Sequence, residues 1–188
     1  MDDPFTILGL SPQAQITPDE LEAAYLAAAR SAAAHDHHPD KLQAAHLAHR
    51  ILRSPSRRLK TLIEARYPDQ PRTSLPLDPD LDPLFSALSS LVADATTLSR
   101  RLQDSRSHLS KALLAPRIVA LRPRLEALSL EVQGHIDQAL SSLSQLDALW
   151  DPASPASWLA RARSLHARLT FLERWQSQLN SLLGQLVF

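Results

Sequence analysis

Five histidines, His35, His37, His38, His46 and His49, fall in the stretch 35–49 beside Asp36 and Asp40, the densest set of metal- and proton-handling groups in the chain. Imidazole and carboxylate together can hold zinc, nickel or copper, and His46 and His49 lie one helical turn apart. With no cysteine among 188 residues, a thiolate metal site, a thiol nucleophile, a disulfide framework and an iron-sulfur cluster held on the chain's own sulfurs are all excluded. A built metal site needs closely arranged ligands with supporting hydrogen bonds, and a solvated polar turn is the commoner meaning of a histidine-rich tract. No metal ligand set is therefore assigned, and no cofactor is expected. His38 and Asp40 flank a proline in an exposed loop, without the burial that tunes an acid or base for catalysis. The chain has no glycine-rich phosphate loop, no nucleophile elbow and no His-Glu-x-x-His pair, so it reads as a non-enzyme.

Charge and hydropathy narrow the partners. Twenty basic and twenty acidic side chains give a formal net charge of zero, which supplies no general field for phosphate backbones or anionic lipid. The basic run Arg50, Arg53, Arg57, Arg58 and Lys60 lacks interleaved aromatics and a recognition motif, and reads as a solvated helix face. No uninterrupted apolar run approaches the ~20 residues of a membrane span. The start Met1-Asp2-Asp3-Pro4-Phe5 lacks the basic and apolar regions of an export signal. Neither nucleic acid nor membrane is expected as a partner, and the expected location is cytoplasmic.

The elements that must position these groups are helices. Three glycines, abundant Ala and Leu, and no alternation of β-branched with polar residues predict an all-α fold. Prolines 68, 71, 76 and 79 in a short polar run oppose any continuing helix and divide the chain into 1–67, a linker over 68–79, and 80–188. In the last part, apolar residues at Leu81, Leu84, Leu88, Leu91, Ala95, Leu98 and Leu102 mark one helix expected to reach about Leu113. Ala115-Pro116 is expected to break it, and Ile118, Leu121, Leu125, Leu128, Val132, Ala139, Leu143 and Leu146 mark a second. After the Asp151-Pro152-Ala153-Ser154-Pro155 turn, Trp158, Ala162, Leu165, Leu169, Leu172, Leu179 and Leu186 mark a third. Short connections make such neighbours antiparallel, giving a three-helix bundle. Phe85 and Val92 lie beside the main stripe of its first helix and are candidates for an apolar docking face. Trp150, Trp158 and Trp175 are expected to pack in the core or at the bundle end.

The first part carries the more specific pattern. Asp3-Pro4-Phe5-Thr6-Ile7-Leu8-Gly9-Leu10 is a short apolar turn ending in glycine. Thr17 and Pro18 then cap and open a helix, with Glu20 completing a capping box. Leu21, Tyr25 and Ala28 share one face of that helix. It ends at His35-Asp36-His37-His38-Pro39-Asp40, since residues before proline avoid helical backbone. A further helix runs from Leu42 to about Leu52, followed by Pro55 and Arg58. Pro39 fixes its own φ, so His38 and Asp40 project from a defined turn.

This order of motifs resembles a J-domain, the module that recruits a heat-shock-type ATPase chaperone through a His-Pro-Asp loop between two antiparallel helices. A J-domain-like helical hairpin followed by a three-helix bundle, with Arg168-Leu169-Thr170-Phe171-Leu172-Glu173-Arg174 in the last helix, resembles the HscB-type co-chaperones of iron-sulfur cluster assembly over nearly the full length. The resemblance implies that His38, Pro39, Asp40, Arg30 and Lys41 contact a chaperone of the HscA or DnaK kind. It implies likewise that Leu84, Phe85, Leu88 and Phe171 bind an iron-sulfur cluster scaffold protein as the delivered client. In this family Arg58 fits a structural contact at the start of the next helix. Only Arg30 supplies a cation on the helix before the loop, that helix from Asp19 runs about five residues longer before His-Pro-Asp than the family pattern with a shorter stretch from Asp40 to Ala48, and Ser89 and Val92 stand where the family's scaffold site carries carboxylates. An alternative reading follows from these differences, a diverged J-like structural or interaction protein without productive chaperone stimulation.

Overall fold

Proline opens five of the seven α-helices found among the described residues: α1 (Pro4–Leu8), α2 (Pro18–Ala34), α3 (Pro39–Arg53), α4 (Pro55–Arg66) and α7 (Pro155–Gln185). The remaining two are α5 (Asp82–Asp104), preceded by a 3-10 turn that itself starts at Pro79, and α6 (His108–Ala148). Proline suits a first helical position because its missing donor would be unpaired there and its φ is already helical. The computed structural model describes residues 3–34, 39–69, 78–105, 107–151 and 155–186, and within them all regular structure is helical. The expected linker lies mostly outside these residues, as do residues 35–38, where a turn is expected.

Two compact units form, and they do not follow chain order. One contains Met1–Pro76 together with Ala139–Thr170, and the other contains Leu77–Gln138 together with Phe171–Phe188. The first unit therefore takes more of the chain than the sequence division at 67 assigned to it. Its core joins Phe5, Leu8, Leu21, Leu52, Leu59 and Leu62 to Leu143, Leu146, Trp158, Ala162 and Leu169. The physical reason lies in the short helices α1 to α4, whose apolar faces need more cover than one another provides. The ends of two long helices supply it.

Polar contacts fix this unit. Asp147 on α6 accepts from the amides of Ala14 at 2.7 Å and Gln15 at 2.8 Å, satisfying backbone donors in the irregular segment before α2. Arg58, only 4% exposed, donates from Nε to the Ala14 carbonyl and from Nη1 to the Leu52 carbonyl, both at 2.7 Å. The structural contact expected of Arg58 is thus made to two carbonyls. Gly9 ends α1 with φ 65°, the left-handed cap that glycine adopts at least cost. Arg66 lays its guanidinium 3.8 Å over Trp150 and 4.5 Å over Trp158, while Trp158 stacks on Tyr67 with centroids 5.9 Å apart. Burial lowers the Arg66 pKa from its ordinary value, opposed by the charge of Asp147 and by Tyr67.

The second unit uses α5, the first part of α6 and the end of α7. All seven apolar stripe positions, from Leu81 at the end of the 3-10 turn to Leu102 on α5, are buried, as are Ile118, Leu121, Leu125, Leu128 and Val132 on α6. Ser99 donates to Gln185 at 2.9 Å and Gln176 donates to Ser129 at 2.7 Å, tying α7 to both other helices.

The expected break at Ala115-Pro116 is absent. Helix α5 ends at Asp104, and α6 runs through both Pro116 and Pro123. Serines make the turn instead. The Ser105 hydroxyl donates to the Arg101 carbonyl at 2.7 Å, and Ser107 Oγ accepts from the Ser110 amide at 3.1 Å, a side-chain cap of the kind serine favours.

Candidate functional site

Helices α2 and α3, which flank residues 35–38 in the chain, pair with each other. Thr17 caps α2, with its Oγ1 accepting from the Glu20 amide at 3.2 Å. The expected reciprocal capping bond is replaced, since the Glu20 carboxylate accepts from Gln13 Nε2 at 3.3 Å. Further along, Tyr25 lies against two histidines of α3, its hydroxyl 3.0 Å from His46 Nδ1 and its ring centroid 4.7 Å from that of His49. His49 Nε2 lies 3.2 Å from a Glu22 carboxylate oxygen. As α2 advances from Glu22 to Tyr25, its partners retreat from His49 to His46, so the helices are antiparallel. His46 and His49 thus serve this helix pair, and no group of three metal-ligating side chains forms among the described residues.

The sequence-predicted chaperone contacts divide as follows. His38 lies outside the described residues. Pro39 is the first residue of α3. Asp40 and Lys41 are exposed in its first turn, and Arg30 is exposed near the end of α2. Arg30 Nε donates to the Leu26 carbonyl one turn back at 3.2 Å. Asp40, Lys41 and Arg30 are thus one carboxylate and two cations exposed on α2 and α3.

In the second unit, Phe85 is 48% exposed, an unusual position for a large aromatic ring. Its centroid lies 6.0 Å from that of Trp175, and the ring of Phe171 lies 6.1 Å from the same indole. Phe85, Leu88, Val92, Phe171 and Trp175 line a groove of about 290 Å3, edged by Ser89, Arg174 and Gln178. The groove unites three of the four residues predicted for client binding. Leu84 is the exception, being 3% exposed and absent from the lining. It occupies the core side of α5 because it falls on the same stripe as Leu88 and Leu91. Leu88 is equally buried, yet its side chain forms part of the groove floor.

The sequence points to a packing role alone for Trp175. The signal for its place here is the four-residue step from Phe171, which puts both rings on one face of α7. Arg174 is the only charged side chain among the described lining residues, so an apolar segment carrying a carboxylate would match the groove in both respects. The described helices contain none long and apolar enough to cross a membrane. No protein-family model, curated protein or solved structure matches the chain.

Proposed function

We propose that this chain is a J-domain-type co-chaperone, resembling the HscB-type proteins, which stimulates a heat-shock-type ATPase chaperone and brings it an iron-sulfur cluster scaffold protein. The observation carrying this reading is the position of Pro39, which opens α3 just beyond the end of its antiparallel partner α2. Pro39 and Asp40 thus follow the His38 of the His-Pro-Asp motif at the start of the second helix of an antiparallel pair, an order that supports the J-domain reading. Asp40, Lys41 and Arg30 are exposed on that pair, and the Arg58 contacts brace α4 against α3 and the segment before α2.

The Phe85, Phe171 and Trp175 groove is the client side of this reading. It offers aromatic rings already held by their neighbours, which lose little conformational freedom on binding. The role is regulatory binding rather than catalysis, with ATP hydrolysis occurring on the chaperone.

The test is steady-state ATPase of a heat-shock-type chaperone with the full-length chain, with its His38→Gln variant and with a Phe85→Ala/Phe171→Ala double variant, each with and without a cluster scaffold protein. Stimulation lost in His38→Gln, with the scaffold-dependent increment lost in the double variant, is the expected result. A folded wild-type chain that stimulates no such chaperone would overturn it and leave a J-like structural or interaction protein.

A further inference from the structure

A second and larger concavity, about 650 Å3, lies between α1, α3 and α4 of the first unit. Its floor includes Pro4, Ile7, Leu47 and Ile51, all left half-buried by the fold. The ionisable side chains among its described lining residues are Asp3, Asp40 and Glu64, one from each bordering element. Asp3 caps α1 through the Phe5 amide at 3.4 Å, Asp40 stands in the first turn of α3, and Glu64 stands in the last turns of α4. An apolar floor whose charged side chains among the described lining residues are all carboxylates disfavours an anionic ligand by like-charge repulsion, and favours a partner that brings cations to the rim and apolar side chains to the floor.

We infer that this groove docks a cationic amphipathic helix of a partner protein, its leucine-like side chains on Ile7, Leu47 and Ile51 and its lysines or arginines against Asp3, Asp40 and Glu64. An amphipathic helix presents both features along one side at the three- and four-residue spacing such a groove reads. The inference rests on the groove and not on the co-chaperone reading. Asp40 is common to both, so the decisive substitutions are placed elsewhere.

Glu64 and Ala65 line the groove and are exposed, so Glu64→Lys and Ala65→Trp change its rim charge and its space without disturbing the core. The experiment titrates the full-length chain against a fluorescent leucine-lysine amphipathic peptide of about 15 residues, long enough to form helix when bound. A leucine-glutamate peptide of the same pattern is the control. The expected result is salt-sensitive binding of the lysine peptide alone, weakened about tenfold or more by each substitution with unchanged circular dichroism. No binding, equal binding of both peptides, or undiminished binding by both variants would overturn the inference. Concentration-dependent self-association of the wild-type chain that Ala65→Trp abolishes would also overturn it, by showing that a second copy fills the groove. No chaperone enters the assay, so its failure is separable from failure of the ATPase test.

Discussion

The guanidinium of Arg58 holds the carbonyl of Ala14, 44 residues earlier in the chain, at 2.7 Å, and a second bond at 2.7 Å takes the carbonyl of Leu52. A buried cation is tolerated when its donors find acceptors, and two carbonyls fixed by one rigid planar group define the angle at which α3 gives way to α4. Arg58→Met keeps the apolar stem but leaves both carbonyls without this donor. A stability loss of about 2–4 kcal/mol is expected in urea denaturation. Arg58→Lys should recover only part of it, because a single ammonium lacks the fork geometry. Equal stability of the methionine variant would show that packing of the stem, not hydrogen bonding, is what matters.

The fragment 1–76 should not fold alone. Its helices share their core with Leu143, Leu146, Trp158, Ala162 and Leu169, and removing these exposes the apolar faces of α1 to α4 together. Domains this small have little burial to spare. The thermal melt of the fragment, followed by far-ultraviolet circular dichroism, is expected to be broad and non-cooperative, against a sigmoidal transition for the full chain. Adding the segment 139–170 in trans should restore cooperativity if the core is as described.

What the sequence revealed and what it concealed follow from the same physics. The stripes on α5 and α6 were legible because helical periodicity states which side of a helix is apolar. Periodicity does not state what that side packs against, so Leu143 and Leu146 were assigned to a bundle while the fold places them under α1 to α4. Asp147 gave no local signal at all, since its partners Ala14 and Gln15 are more than 130 residues distant. In the groove, Leu84 and Phe85 were named together. Only the structure separates them, because one position around a helix turns a side chain from core to solvent.

That separation is measurable. Leu84→Ala should cost about 2–5 kcal/mol, as buried leucine truncations do when the site cannot collapse. Phe85→Ala, at a ring 48% exposed, should cost less than about 1.5 kcal/mol while removing one wall of the groove. Denaturation midpoints of the two variants, paired with scaffold binding by titration calorimetry, therefore move in opposite order. Under the proposed client role, Leu84→Ala lowers stability and spares affinity once folded, whereas Phe85→Ala spares stability and lowers affinity.

Pro116 and Pro123 give the sharpest test of the helix that sequence reasoning broke. Proline inside a helix forfeits one hydrogen bond and crowds the carbonyl four residues back. Here those carbonyls belong to Ala112 and Val119, both exposed, and both prolines are themselves exposed. The two lie seven residues apart on one solvent-facing side, opposite the buried Ile118, Leu121 and Leu125. Water can take the freed acceptors, and the helix continues at a cost rather than ending. Replacing Pro116 by Ala removes an interior penalty of about 3 kcal/mol, offset by about 0.4–1 kcal/mol of added freedom in the unfolded chain. Pro116→Ala should therefore raise stability by about 2–2.6 kcal/mol, seen as a higher urea midpoint at unchanged slope. The Pro116→Ala/Pro123→Ala double variant should gain nearly the sum, because the sites share no partner. A loss of stability in either would mean that packing of the second unit depends on the bend that proline imposes.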